Sequence, residues 1–378
     1  MKTKLLLTLL SIGIFNTYAQ QETVDYVSNL AEPSGIVNQG NMLYVQGVKY
    51  VYQINTTATS PAPTVIYTAP ADFHMTNLTI SGNILYISEE NYSESTDTFL
   101  GCRIISLDLT NLSAPANLVY TTTQYVSSLT ANGTMIYFSS ETDPDGDDNF
   151  TVQVHRIDVS VPNPVATVLV SNLTTDNEAR DMAFYNNNLL ISVGGQGKVF
   201  GFDVTDSPIV VSEYFSNLNF NKGMYVSGGS IFITTAHLVG TKELNTANPL
   251  NYIAQNTTYQ DSNNGMTFNA NFRDVLRIGD KLYMTLLNQG KVVMIQNANL
   301  ATDGFSNDSQ RVAIYNSKEV LSVKGLENSH TATVFDISGQ AVVSAELSSI
   351  GNSIDISSLS VGVYILKLDN QKVFKFVK

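Results

Sequence analysis

The chain has 378 residues, a formal net charge of −13, 43% hydrophobic residues and a single cysteine. Such acidity excludes binding to nucleic acid or an anionic membrane through general electrostatics, and one cysteine excludes an internal disulfide framework, so stability has to come from a buried core. No stretch beyond the N-terminal twenty residues reaches ~18 uninterrupted apolar residues, and the sequence predicts no membrane span there.

The chain opens "MKTKLLLTLLSIGIFNTYAQ". Lys2 and Lys4 precede an apolar run from Leu5 to Phe15, and Thr17-Tyr18-Ala19 ends it with a small residue. This pattern predicts a signal peptide over 1–19. No cysteine stands directly after the cleavage point, so lipid attachment there is not expected.

"DYVSNLAEP" follows at 25–33, and its Ser-Asn-Leu recurs in "VLVSNLTTD" (168–176) and "EYFSNLNFN" (213–221). A larger repeat explains the echo. Six segments align without a gap over eleven positions: "GIVNQGNMLYV", "NLTISGNILYI", "SLTANGTMIYF", "DMAFYNNNLLI", "GMYVSGGSIFI" and "DVLRIGDKLYM", starting at 35, 77, 128, 181, 223 and 274. Their sixth position is Gly40, Gly82, Gly133, Asn186, Gly228 and Gly279, residue types that tolerate positive φ and so predict a tight turn. The ninth to eleventh positions are β-formers throughout, from Leu43-Tyr44-Val45 to Leu282-Tyr283-Met284. Third strands follow ("YVYQIN", "RIISLD", "VHRIDV", "VFGFDV", "VVMIQN", and more weakly "LVGTKEL"), then fourth strands ("TVIYT", "NLVYT", "ATVLV", "VSEYF").

Four strands per unit of ~40–50 residues is the signature of propeller blades, because one small sheet cannot bury both faces without neighbours. The expected fold is all-β: a six-bladed β-propeller over 20–300. The sixth unit lacks a fourth strand, and "TVDYVSNL" (23–30) is expected to supply it, closing the ring and protecting its edge. An alternative start for the sixth unit is "NNGMTF" (263–268). The first unit, "EPSGIVNQGNMLYVQGVKYVYQIN", resembles NHL-type six-bladed propellers, with Pro-x-Gly-Ile followed by Leu-Tyr-Val; the other units lack the Pro-x-Gly.

"ATDGFSNDSQ" (301–310) reads as a linker, and the composition shifts there. Residues 311–378 hold seven cationic and six acidic side chains, whereas 20–310 hold eleven and twenty-seven. Seven short strands separated by turn residues predict a small Ig-like sandwich over 311–378. "VFDISGQAV" (334–342), "IDISSLSVGVYILKL" (354–368) and the closing "KFVK" resemble the type A C-terminal sorting domain of type IX secretion substrates, with "IYNSKEV" (314–320) in place of the frequent Tyr-Pro-Asn-Pro start. The resemblance implies type IX secretion machinery as a partner of residues 311–378. It also implies delivery to the outer surface of a Gram-negative cell or to the medium.

Candidate sites come from loops and from repeat positions. "ETDPDGDDNF" (141–150) places Asp143, Asp145, Asp147 and Asp148 around Gly146. Clustered carboxylates suit Ca²⁺, which takes six to eight oxygens, but the spacing is not that of an EF-hand, and a solvated acidic loop is the plainer reading. "EENYSESTDTFLG" (89–101) reads as a second long loop.

The residue before each repeat is Ser34, Thr76, Ser127, Arg180, Lys222 and Arg273, and these six are expected to ring one mouth of the central channel. Three consecutive cations in so acidic a chain point to an anion such as an acidic glycan; local pairing with Glu178, Asp181 and Asp274 is the alternative. His74 and Glu32 are the other expected mouth residues.

No Gly-x-Ser-x-Gly, His-Glu-x-x-His or P-loop pattern occurs. The expectation is a binding module. The competing class is a metal-dependent hydrolase or lactonase using Glu32, His74, Asn77, Asp181 or Asp274 around a divalent cation. Carboxylates converging in the channel would favour the enzyme; a channel lined by Ser, Thr and aromatics would favour binding.

Overall fold

The computed structural model describes residues 21–93, 95–142, 150–175, 179–218, 220–244, 250–255, 259–260, 267–268, 271–296, 313–316, 319–324, 330–348, 352–369 and 372–378. Among them the single turn Leu287–Gln289 is the only helix, and the fold is all-β. The chain separates into two compact units between Thr302 and Asp303. The expected signal peptide (1–19) and expected linker (301–310) lie outside the described residues.

In the first unit, antiparallel sheets succeed one another over 35–68, 73–122, 125–175, 179–215, 224–255 and 272–295. The turn joining the first two strands of each is left-handed in every case, with φ from 53° at Asn186 to 61° at Gly279. A side chain with a Cβ strains there unless it is Asn or Asp, which is why those residue types recur. The second strands carry three successive buried residues, such as Leu43-Tyr44-Val45 and Leu282-Tyr283-Met284. A strand alternates its faces, so burial of three in a row requires cover on both sides. Neighbouring sheets supply it: Leu43 and Val45 share one cluster with Tyr283 and Val292, while Tyr44 packs with Leu85 and Ile87. The first strands, Gly35–Gln39, Phe73–Ser81, Tyr125–Asn132, Ala179–Tyr185, Met224–Ser227 and Phe272–Ile278, touch in cyclic order, the last against the first.

The N-terminus completes this circuit. Val24–Val27 lies antiparallel on Lys291–Ile295, with Lys291 Nζ 2.7 Å from Asp25 Oδ2. Tyr26 meets Tyr283 edge-on at 4.9 Å between centroids, and Val27 and Leu30 enter the cluster shared by the last and first sheets. Gln21–Glu22 goes further and adds a parallel strand to Asn251–Gln255, so one terminal segment stitches two sheets.

Two details depart from the sequence reading, and one alternative within it is set aside. Asn251–Gln255 forms a fourth strand in the fifth sheet that its composition had not signalled. The sixth sheet begins at Phe272, and within 263–268 Thr267–Phe268 pairs instead with Tyr259–Gln260. The expected loop 89–101 is largely strand, within Ile84–Ser93 and Thr98–Asp108. Its charges are absorbed in place. Glu89 is fully buried, bonded to Arg103 Nε (2.7 Å) and Tyr67 Oη (2.8 Å), and Arg103 stacks 3.5 Å over the Phe73 ring. A buried charge persists where it is paired and hydrogen-bonded in this way.

The second unit contains two sheets. Ala313–Asn316, Val320–Lys324 and Ser353–Asp355 form one; Ala341–Leu347, His330–Asp336, Val363–Leu368 and Lys372–Val377 form the other. Leu321, Val323 and Ile354 from the first pack with Val334, Leu366 and Phe376 from the second in one core. The alternating apolar positions of 354–368 face that core, as the period of two requires.

Candidate functional site at one end of the channel

The six residues preceding the repeats meet. Ser34, Thr76, Ser127, Arg180, Lys222 and Arg273 all line one cavity of about 290 Å³, together with His74, Glu90 and Tyr125. A second cavity of about 210 Å³ is walled by the first strands. Asn77, Asp181 and Asp274 line both, forming a collar between them. All three occupy the first position of their repeats, so the register of the sheets sets their common height. Glu32 is exposed and lies outside the lining of this cavity. Asp143, Asp145, Asp147 and Asp148 fall outside the described residues, and among the described residues no carboxylate, His and Cys cluster is arranged to hold a metal ion.

The collar carboxylates are held by main chain. Asp181 accepts its own neighbour's amide, Met182 N (2.8 Å), and that of Met224 in the next sheet (2.6 Å). Asp274 repeats the arrangement with Val275 N (2.7 Å) and Ile36 N (2.8 Å), so the last sheet is tied to the first. Burial raises both carboxyls above the usual range, and for Asp181 the charge of Asp274 adds to the effect; the amide bonds act the other way.

The cationic side is packed by glycine. A Cβ on Gly223 would fall 2.5 Å from Asp274 Cα, and Gly223 N donates to Arg273 O at 2.8 Å. Only glycine permits that approach, and it brings the strand preceded by Lys222 against the strand carrying Arg273. The Lys222 ammonium donates to Asn271 Oδ1. Burial and then the charges of Arg273 and Arg180 bring its pKa down to about 8. Three cations therefore share one half of the cavity wall, with Ser34, Thr76 and Ser127 on the other half. His74 Nδ1 lies 3.5 Å from Glu90 Oε1 within that second half.

Sequence reasoning stopped one position short of a further feature. The twelfth position of the repeats is Gln46, Ser88, Ser139, Ser192, Thr234 and Thr285, all buried. The hydroxyls of the Ser and Thr members fasten the mouth. Ser139 Oγ lies 2.7 Å from Ser127 Oγ, Thr234 Oγ1 accepts Gly223 N (2.9 Å), and Thr285 Oγ1 accepts Asp274 N (3.0 Å) while donating to Ser34 O (2.9 Å). The signal was a Ser or Thr directly after five of the six apolar triplets, with Gln46 after the first. Glu90 and Asn271 carried no such periodic signal.

The comparisons with known proteins give one domain family and one kind of fold. Residues 314–378 match the secretion system C-terminal sorting domain. This domain marks proteins exported by type IX secretion to the cell surface or beyond, and it makes the secretion machinery a partner of this chain. No curated protein matches the chain significantly. Among solved structures, YjhT superposes with a TM-score of 0.52 at 8% identity, covering 80% of this chain and 98% of its own. A luciferin-regenerating enzyme gives 0.52 at 13% identity, covering 74% and 95%. At such identities the likeness is one of fold, and the fold is propeller-like.

Proposed function

We propose that this chain is an exported six-bladed β-propeller (20–300), preceded by a signal peptide (1–19) and followed by an Ig-like sorting sandwich (311–378). Its propeller is a cell-surface or extracellular binding module whose mouth takes the anionic group of a ligand, such as the terminal unit of an acidic glycan. One observation carries the reading: six equivalent repeat positions line a single cavity, and three consecutive ones are Arg180, Lys222 and Arg273. Burial first, and then the charges of Arg273 and Arg180, depress the Lys222 pKa, so three cations held side by side favour a bound counter-charge. An anion supplies it. Arginine grips a carboxylate or sulfate through two parallel bonds, and Ser34, Thr76, Ser127 and Tyr125 offer hydroxyl partners to the rest of the ligand. The test is calorimetric titration with acidic oligosaccharides. Replacing Arg180, Lys222 and Arg273 together by Ala abolishes binding with little change in Tm; normal binding by that variant ends the reading.

A metal-dependent hydrolase is the second reading, favoured by the convergence of Asp181 and Asp274 at the collar. Each of their four oxygens already accepts a main-chain amide, which supports a clamp between sheets over a metal cradle. A rise in Tm with added Ca²⁺ or Zn²⁺ that is lost in Asp181→Asn would reverse that preference.

A further inference from the structure

Lys222 is a primary amine inside a walled cavity, wedged between two guanidinium groups. Its neighbours define its chemistry. Arg180 and Arg273 line the same cavity, its ammonium donates to the neutral side chain of Asn271, and among the described residues the acidic groups facing that space are Asp181, Asp274 and Glu90, the last beside His74. An ordinary lysine is protonated and inert as a nucleophile, whereas one desolvated beside other cations is held partly as the free amine. We propose that Lys222 captures small oxo acids as an imine, Arg180 and Arg273 gripping the carboxylate while the amine attacks the adjacent carbonyl carbon. This inference rests on the anion-binding reading and adds covalent capture to it.

The step balances without a further reactant. The Lys222 nitrogen lone pair forms the C–N bond, the carbonyl oxygen becomes the hydroxyl of a carbinolamine, and that hydroxyl leaves as water once protonated. Asp274 lines the same cavity, and its raised pKa suits it to supply the proton. At pH 7 a lysine whose pKa lies near 8 presents on the order of a hundredfold more free amine than one at 10.5. Neighbouring guanidiniums favour the anionic ligand without themselves competing as nucleophiles, because arginine stays charged.

The full chain is incubated at pH 7 with glyoxylate and sodium cyanoborohydride, which fixes an imine as a carboxymethyl amine, and labelled lysines are read by peptide mapping. Lys222 is expected to carry about tenfold more label than the mean of the other lysines. Acetate or sulfate at excess should suppress it, and propanal, which has no carboxylate, should lose the preference. Even labelling of all lysines overturns the proposal, and that outcome needs no variant. Lys222→Arg provides a second check, since it keeps the charge and removes the amine; residual site-specific label at the mouth would also overturn it. Titration with a methyl uronoside, which has no free carbonyl, separates the two readings. Binding without glyoxylate capture leaves the anion site standing and ends covalent capture, whereas loss of both ends both.

Discussion

Leu30 donates its amide to the Gly290 carbonyl at 2.9 Å, and Leu218 donates to Gly197 at the same length. Asn29 and Asn217, one residue earlier, are both left-handed (φ 65° and 60°), as are both glycines (61° and 58°). The N-terminal Ser-Asn-Leu and the internal one are therefore the same joint between a fourth strand and the turn before a third. The third copy differs: Leu173 is still inside the strand Thr167–Thr175, paired with Val152.

That joint predicts a cost for Gly290→Ala. A Cβ there would sit 2.6 Å from Leu30 O in a backbone that L-residues avoid. A loss of about 1–3 kcal/mol is expected in urea unfolding. Deleting residues 20–31 should abolish cooperative unfolding of the first unit, since Lys291–Ile295 becomes an open edge. Unchanged melting of the truncated chain would count against closure by the N-terminus.

Asp274→Ala should open the seam between the last and first sheets. It leaves the buried Ile36 amide without its acceptor, at about 1–3 kcal/mol. The pH dependence has a definite sign. The folded carboxyl is raised above its unfolded value, so the native state binds more protons, and stability falls as pH rises from the unfolded pKa through the folded one. The stability of wild type relative to Asp274→Asn should thus decline between acidic and neutral pH in parallel melts; a flat difference would show that Asp274 is not the group responsible.

Thr285→Val tests the hydroxyl ring at nearly constant volume. It removes the acceptor of the Asp274 amide and the donor to Ser34 O. The expected loss is about 1–3 kcal/mol, with Thr285→Ser close to wild type. Equal losses in the two variants would assign the effect to packing.

Affinity for a non-carbonyl anion should fall as pH rises through about 8, because the ligand favours charged Lys222 and that charge is lost there. The decline is at most about tenfold per pH unit. Calorimetry between pH 6 and 10 reads it, and Lys222→Gln should weaken binding and flatten the profile. A profile that stays steep in Lys222→Gln assigns the titration elsewhere.

Removing residues 311–378 should leave a folded propeller that no longer reaches the medium or the outer surface. Cell fractionation with immunoblotting measures this. Export of the truncated chain at normal yield would show that the tail is dispensable for sorting.

Much of this architecture was legible in one dimension, because propeller sheets are built from local hairpins whose turns demand left-handed residues. Gly40 to Gly279 mark every turn, and the apolar triplets mark every central strand. The same phase placed Arg180, Lys222 and Arg273 on one level, since equivalent positions in a cyclic repeat share a height. What the sequence could not supply was identity of partner. Whether a carboxylate pairs with a neighbouring cation or with main chain depends on which strand edge it meets, and Asp181 and Asp274 meet the amides of Met224 and Ile36 across sheet boundaries. The short strand Asn251–Gln255 was likewise invisible, because its neighbours on both sides, including Gln21–Glu22, are what make it a strand. Periodicity reports on contacts repeated along the chain; contacts made once, between residues hundreds of positions apart, exist only after the circle of sheets has closed.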